Sequence, residues 1–132
     1  MIRLLISDDS AFMRIAIRKM VESDPEIEVV GEAKTGQMCV EMAQSLKPDV
    51  ITMDVEMPVM DGLEATRQVR ADAALAPLPV LALTAAAHES QRRQALAAGM
   101  QDYIVKPFEL DAVVATVLHH LRRPDGAPAA GA

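Results

Sequence analysis

The sequence predicts a doubly wound α/β domain: five parallel strands in the order 2-1-3-4-5, with helices on both faces. Three observations carry this expectation. Short apolar runs such as Leu4-Leu5-Ile6, Val50-Ile51-Thr52-Met53 and Tyr103-Ile104-Val105 alternate with segments of helical spacing, as parallel strands buried on both faces do. Right-handed crossovers between such strands leave few possible orders, and the 2-1-3-4-5 arrangement makes strands 1 and 3 neighbours. Chemically distinctive residues follow three of the runs: Asp8-Asp9, Asp54 and Lys106-Pro107. In an open sheet of this kind the ligand site lies outside the carboxyl ends of the strands.

The elements follow in order along the chain. Ser10 to Ser23 reads as a helix, with Met13, Ala16, Ile17, Met20 and Val21 as its apolar stripe and Arg14, Arg18 and Glu22 toward water. Ile27 to Ala33 is a second strand. Helical spacing returns from Gly36 to Leu46 and ends before Pro48-Asp49 and the Val50 strand. Asp61 is placed to cap a helix running to about Arg70, with Glu64 three residues on. Residues 71–79, with Pro77 and Pro79, form a loop into the strand Val80-Leu81-Ala82-Leu83. A helix near Glu89 to Ala98 stops at Gly99, whose freedom to adopt positive φ suits a helix end. The last helix carries Leu110, Val113, Val114, Val117, Leu118 and Leu121. The folded domain is expected over 1–123; residues 124–132, opening Pro124-Asp125-Gly126-Ala127-Pro128, read as a flexible tail or linker start.

Composition narrows the function. A chain of 132 residues is long enough to bury a real core. It has no Trp, and Phe12, Tyr103 and Phe108 are its only aromatics, so that core is aliphatic and Met-rich. A net charge of −6 argues against a nucleic-acid surface. Cys39 is the only cysteine, a small buried apolar residue that fits a reducing compartment. No apolar stretch reaches the roughly 18 residues of a membrane span, and the N-terminal segment lacks the form of a signal peptide. A cytoplasmic, soluble protein is expected.

The converging residues define the chemistry. Carboxylates of Asp8, Asp9 and Asp54 brought together repel one another and call for a hard dication with oxygen ligands. Lys106 adds an ammonium beside them. Taken singly, each residue has a plainer role. Asp8-Asp9 suits a helix N-terminus, Thr84 suits a strand, and Tyr103 suits a half-buried strand position. His88, His119 and His120 have no ligand spacing with Cys39. Most methionines read as core filler, while Met57 and Met60, in the loop beside Asp54, are positioned to touch a partner.

Taken together, these motifs resemble the receiver domain of bacterial response regulators over residues 1–123. They are Asp8-Asp9-Ser10, the segment Asp54-Val55-Glu56-Met57-Pro58-Val59-Met60-Asp61-Gly62, Leu83-Thr84-Ala85, Ala98-Gly99-Met100-Gln101-Asp102-Tyr103 and Lys106-Pro107-Phe108. The resemblance implies phosphoryl transfer to Asp54 from a phosphohistidine on a sensor histidine kinase or histidine phosphotransfer protein, a switch rather than an enzyme acting on outside substrates. It implies Mg²⁺ held by Asp9 and Asp54, by Asp8 through water and by the Glu56 backbone carbonyl. Lys106 would face the phosphate, and the Lys106-Pro107 bond is a cis candidate. Thr84 and Tyr103 would relay the change to a face made of the fourth and last helices and the fifth strand. That face would serve an unidentified protein partner, with no direct nucleic-acid or membrane contact. Because the last helix has no basic residue between Leu110 and Leu118, a monomer is expected.

Two rivals come from other classes. Phosphatases of the haloacid dehalogenase type place an Asp nucleophile after the first strand in a D-x-D motif, which this chain lacks. A flavodoxin-like flavin binder shares the strand order, yet Asp8-Asp9 would repel the flavin phosphate. The opening half is similar to receivers of chemotaxis regulators and methylesterases, and the second half to receivers of hybrid-kinase phosphorelays. The chain is thus either a stand-alone receiver or the regulatory front of a longer protein such as a chemotaxis methylesterase.

Overall fold

The computed structural model describes residues 1–55, 57, 60–75, 77–84, 89–105 and 112–121. Strands β1 (Ile2–Ser7), β2 (Ile27–Ala33), β3 (Val50–Asp54), β4 (Val80–Thr84) and β5 (Asp102–Val105) alternate with helices. These are α1 (Ala11–Glu22), α2 (Gly36–Leu46), α3 (Gly62–Ala71), α4 (Glu89–Ala97) and α5 (Ala112–Leu121). All strand pairs are parallel and the order is β2-β1-β3-β4-β5, as the sequence predicts. Glu56, Lys106, Pro107 and residues 122–132, for which the sequence raises expectations, lie outside the described residues.

Alternation along each strand splits the interior into two cores. Leu5, Ile51, Met53, Val80 and Ala82 point toward Cys39, Val40 and Ala43 of α2, Ala65 and Val69 of α3, and Ala95 of α4. Leu4, Ile6, Val50, Leu81 and Leu83 point the other way, onto Ile17 and Val21 of α1 and Val113, Val117 and Leu121 of α5. Burial on both faces explains why the central strands read as unbroken apolar runs.

Local signals set the helix ends. Ser10, Thr35 and Asp61 each accept a hydrogen bond from the backbone N–H three residues on, capping α1, α2 and α3. The end of α4 is a Schellman motif: Met100 N–H donates to the Ala95 carbonyl and Gly99 N–H to the Leu96 carbonyl. Gly99 sits at φ +105°, a conformation that requires glycine there.

Two sequence expectations change. Arg14, expected to face water, is only 8% exposed. Helical spacing puts it on the same side as Ile17 and Val21, and the Asp8 carbonyl just after β1 and Glu32 of β2 satisfy its charge there. Met57, expected at the surface, is 7% exposed and packs into the α2–α3 core, where its sulfur lies 3.5 Å from the Ser7 hydroxyl.

Candidate functional site

The acidic pocket forms where β1 and β3 end side by side. Ser7 is in register with Met53, so the residues that follow them, Asp8 and Asp54, emerge at one level. Carboxylate oxygens of Asp8, Asp9 and Asp54 all lie within 4.8 Å of one another. Asp54, 3% exposed, and Asp8 are buried, whereas Asp9 stands open to solvent at the rim. Such an arrangement gives a floor of desolvated carboxylate and an exposed mouth. Hard carboxylate oxygens gathered this closely are the donor set that a small dication takes.

The β1–α1 turn is tied at several points. Asp8 N–H donates to the Ala33 carbonyl at 3.0 Å. Asp8 Oδ1 accepts the Ser10 N–H at 2.9 Å, and the Asp8 carbonyl accepts Arg14 Nη1 at 2.7 Å. The helix cap is therefore Ser10, leaving the carboxylates of Asp8 and Asp9 for the pocket. Below, Ser7 contacts Met57, and burial pushes the neighbouring Cys39 thiol up to about 12, so it stays a neutral core group.

The β3 end is fixed by close packing. Val55 N–H donates to the Leu83 carbonyl at 3.0 Å, and Gly62 N–H to the Val55 carbonyl at 2.8 Å. A Cβ on Gly62 would lie 2.4 Å from the Asp54 carbonyl oxygen, so only glycine lets α3 begin so near the Asp54 backbone.

Thr84 ends β4, one residue past Leu83, the register partner of Asp54, and is 5% exposed. Thr84 and half-buried Tyr103 line one cavity of about 150 Å³, together with Val55, Leu63, Gln91, Gln94 and Ala95. The Arg92 guanidinium carbon lies 5.8 Å from the Tyr103 ring centroid, a cation–π distance. At the far edge of this face, His120 Nε2 is 3.0 Å from Asp102 Oδ2.

The structure thus brings Asp8, Asp9 and Asp54 together, with Thr84 one residue beyond the register partner of Asp54 and Tyr103 on the same cavity as Thr84. Sequence reasoning missed Arg14 as a site residue. Its signal was the three-residue spacing to Ile17, which conflicts with a solvent-facing charge.

Comparison with known proteins agrees with this geometry. The family model described as the response regulator receiver domain matches residues 4–118. The protein-glutamate methylesterase/protein-glutamine glutaminase of Alkalilimnicola ehrlichii is 48% identical over 81% of this chain and 27% of its own length. The corresponding protein 1 of Shewanella denitrificans is 44% identical over 82% of the chain and 28% of its own length. The chain therefore spans under a third of these curated relatives. Among solved structures, the response regulator domain of Thermotoga maritima CheB superposes with a TM-score of 0.78 at 39% identity. That match covers 90% of this chain and 92% of that domain. Among the described residues no helix is long and apolar enough to cross a membrane.

Proposed function

The chain belongs to the response regulator receiver domain family, and from that premise we propose that Asp54 is its phosphoacceptor. The observation that carries this reading is the buried Asp54 carboxylate at the floor of a pocket completed by Asp8 and Asp9. A carboxylate oxygen of Asp54 attacks the phosphorus of a phosphohistidine on a sensor histidine kinase or histidine phosphotransfer protein. The N–P bond breaks, the imidazole leaves, and an aspartyl phosphate remains. With little covalent work left to the protein, positioning and countercharge supply most of the rate.

Mg²⁺ at the three carboxylates would neutralise charge on the transferring oxygens. Asp9 and Asp54 would hold it through their side chains and Asp8 through a water, with the Glu56 backbone carbonyl as a further holder. Lys106 is assigned to the phosphate as a second cation, with Pro107 setting its direction. Thr84 and Tyr103 are assigned to the response. The Thr84 hydroxyl turns toward the phosphoryl oxygens, and Tyr103 moves in the cavity both residues line. The output is a changed α4–β5–α5 face for a protein partner, offered by a monomer in the cytoplasm.

Acetyl phosphate tests the reading. Wild-type protein should take one label in the presence of Mg²⁺, lose it under hydroxylamine, and take none in EDTA or as Asp54→Asn. Acid-stable label of undiminished amount on Asp54→Asn would overturn the assignment.

A second reading concerns context. The 48% identity to a protein more than three times the matched length supports this receiver acting as the regulatory portion of a methylesterase-type protein. The mass of the native gene product, by immunoblot of its source cells, separates that from a stand-alone receiver.

A further inference from the structure

We propose that Arg14 is a positioning residue for the metal-binding acids, acting through the Asp8–Asp9 peptide. This inference rests on the phosphoacceptor reading above and deepens it. Arg14 lies about one turn into α1, past the pocket, and is nearly buried. Its Nη1 donates to the Asp8 carbonyl oxygen at 2.7 Å, while its Nε stands 3.3 Å from Glu32 Oε1 on β2. Glu32 is held in turn by Arg18, whose Nε reaches its other oxygen at 2.7 Å. The chain of contacts runs from β2 through two arginines of α1 to the end of β1.

The Asp8 carbonyl belongs to the peptide that joins Asp8 to Asp9. Its orientation fixes the start of the Asp9 backbone and so the direction in which the exposed Asp9 side chain can reach. On the other side of Asp8, the N–H is bound to Ala33. The peptides flanking Asp8 are thus anchored to different elements, and the carboxylate oxygen Oδ1 is oriented by Ser10 N–H. Without the guanidinium, the Asp8–Asp9 peptide could rotate, and Asp9 at the rim would sample positions away from Asp8 and Asp54. Groups that orient ligands from behind in this way set metal affinity even though they never touch the ion.

Stability alone is a weak reason for this arrangement. A nearly buried ion pair recovers little beyond its desolvation cost, and in Arg14→Met the Glu32 carboxylate keeps its partner Arg18. The geometry also selects arginine over lysine. One planar fork reaches the carbonyl and the carboxylate together, and a lysine ammonium on a flexible stem would hold one at the expense of the other.

The test measures Mg²⁺ affinity by NMR titration of the Asp9 and Ser10 amides in wild type, Arg14→Met and Arg14→Lys, with urea midpoints alongside. Arg14→Met is expected to fold and to bind Mg²⁺ about 10-fold more weakly. Its acetyl phosphate labelling rate should return to near the wild-type value once Mg²⁺ saturates, a rescue that general distortion of the site would not permit. Arg14→Lys should fall between the two. Folded Arg14→Met with wild-type affinity, or weak labelling that no Mg²⁺ concentration restores, would overturn the proposal. Should Arg14→Met not fold, Arg14→Lys decides by the same affinity, parity with wild type being the contrary result. Wild-type protein that binds no Mg²⁺ would instead overturn the phosphoacceptor reading beneath it.

Discussion

On the β1–β3 side of the pocket the backbone is tied down, while on the β4–β5 side there is room to move. Asp8 is bonded at its N–H, its carbonyl and its carboxylate, by Ala33, Arg14 and Ser10. Asp54 is backed by Gly62 at a distance that admits no side chain. Across the pocket, Thr84 and Tyr103 border a cavity of about 150 Å³, and α4 lies over it with Ser90 to Gln94 exposed. Among the described residues of α4, Ala95 is the one that joins the core, so apolar burial holds that helix less than it holds its neighbours. One wall is suited to holding ligands at fixed positions and the other to changing shape. On the proposed reading, a phosphoryl charge at Asp54 would meet a fixed wall on one side and a wall with space beside it on the other.

Substitutions on the two walls should behave differently. The largest effect is expected at Gly62. Gly62→Ala forces the Asp54 carbonyl or Val55 away and should cost about 1–3 kcal/mol in urea denaturation, with acetyl phosphate labelling slowed in the remaining folded protein. Preserved stability and labelling would mean that the β3 wall yields more easily than its packing suggests.

Thr52 comes next and has the opposite sign. Among the described residues its buried hydroxyl has no hydrogen-bond partner. Thr52→Val replaces it with a methyl of like shape, and the fold should gain about 1 kcal/mol, read from the urea midpoint. A loss instead would indicate a partner for the hydroxyl in solution.

The smallest change is expected at Arg92 on the soft wall. Arg92→Ala removes a cation–π contact of about 0.5–1 kcal/mol, so stability should hardly change while the Tyr103 ring redistributes. Tyr103 is the only tyrosine and there is no tryptophan, so intrinsic fluorescence reports this ring alone. An altered emission and a shifted response to beryllofluoride are expected. Fluorescence identical to wild type in both states would mean that Arg92 does not hold the ring.

Much of this arrangement was legible in the sequence, for identifiable reasons. Runs such as Leu4-Leu5-Ile6 and Val80-Leu81-Ala82-Leu83 are apolar at every position because both sheet faces are covered. Asp61 with Glu64, and Gly99, marked helix ends through chemistry local to a few residues. The acids converged because strand order brought the ends of β1 and β3 together. What sequence could not supply was pairing between distant elements. Arg14 looked solvent-facing because its charge was visible while the Asp8 carbonyl and Glu32 that accept it were not. Met57 looked exposed because its loop position was visible while the Ser7 hydroxyl and the core beneath it were not. Conversely, Phe12 is apolar yet 78% exposed on α1, where periodicity alone already placed it off the core stripe.

The central claim is that charge on Asp54 moves the soft wall and leaves the fixed wall in place. Amide NMR of wild type and Asp54→Asn, with Mg²⁺ alone and then with beryllofluoride, measures it most directly. In wild type, beryllofluoride should shift Thr84, Tyr103 and residues of α4 strongly, while Ile2 to Ile6 and the Arg14–Glu32 contact change little; Asp54→Asn should show none of the added shifts. Shifts confined to Asp8, Asp9 and Asp54, or equal in both proteins, would contradict it.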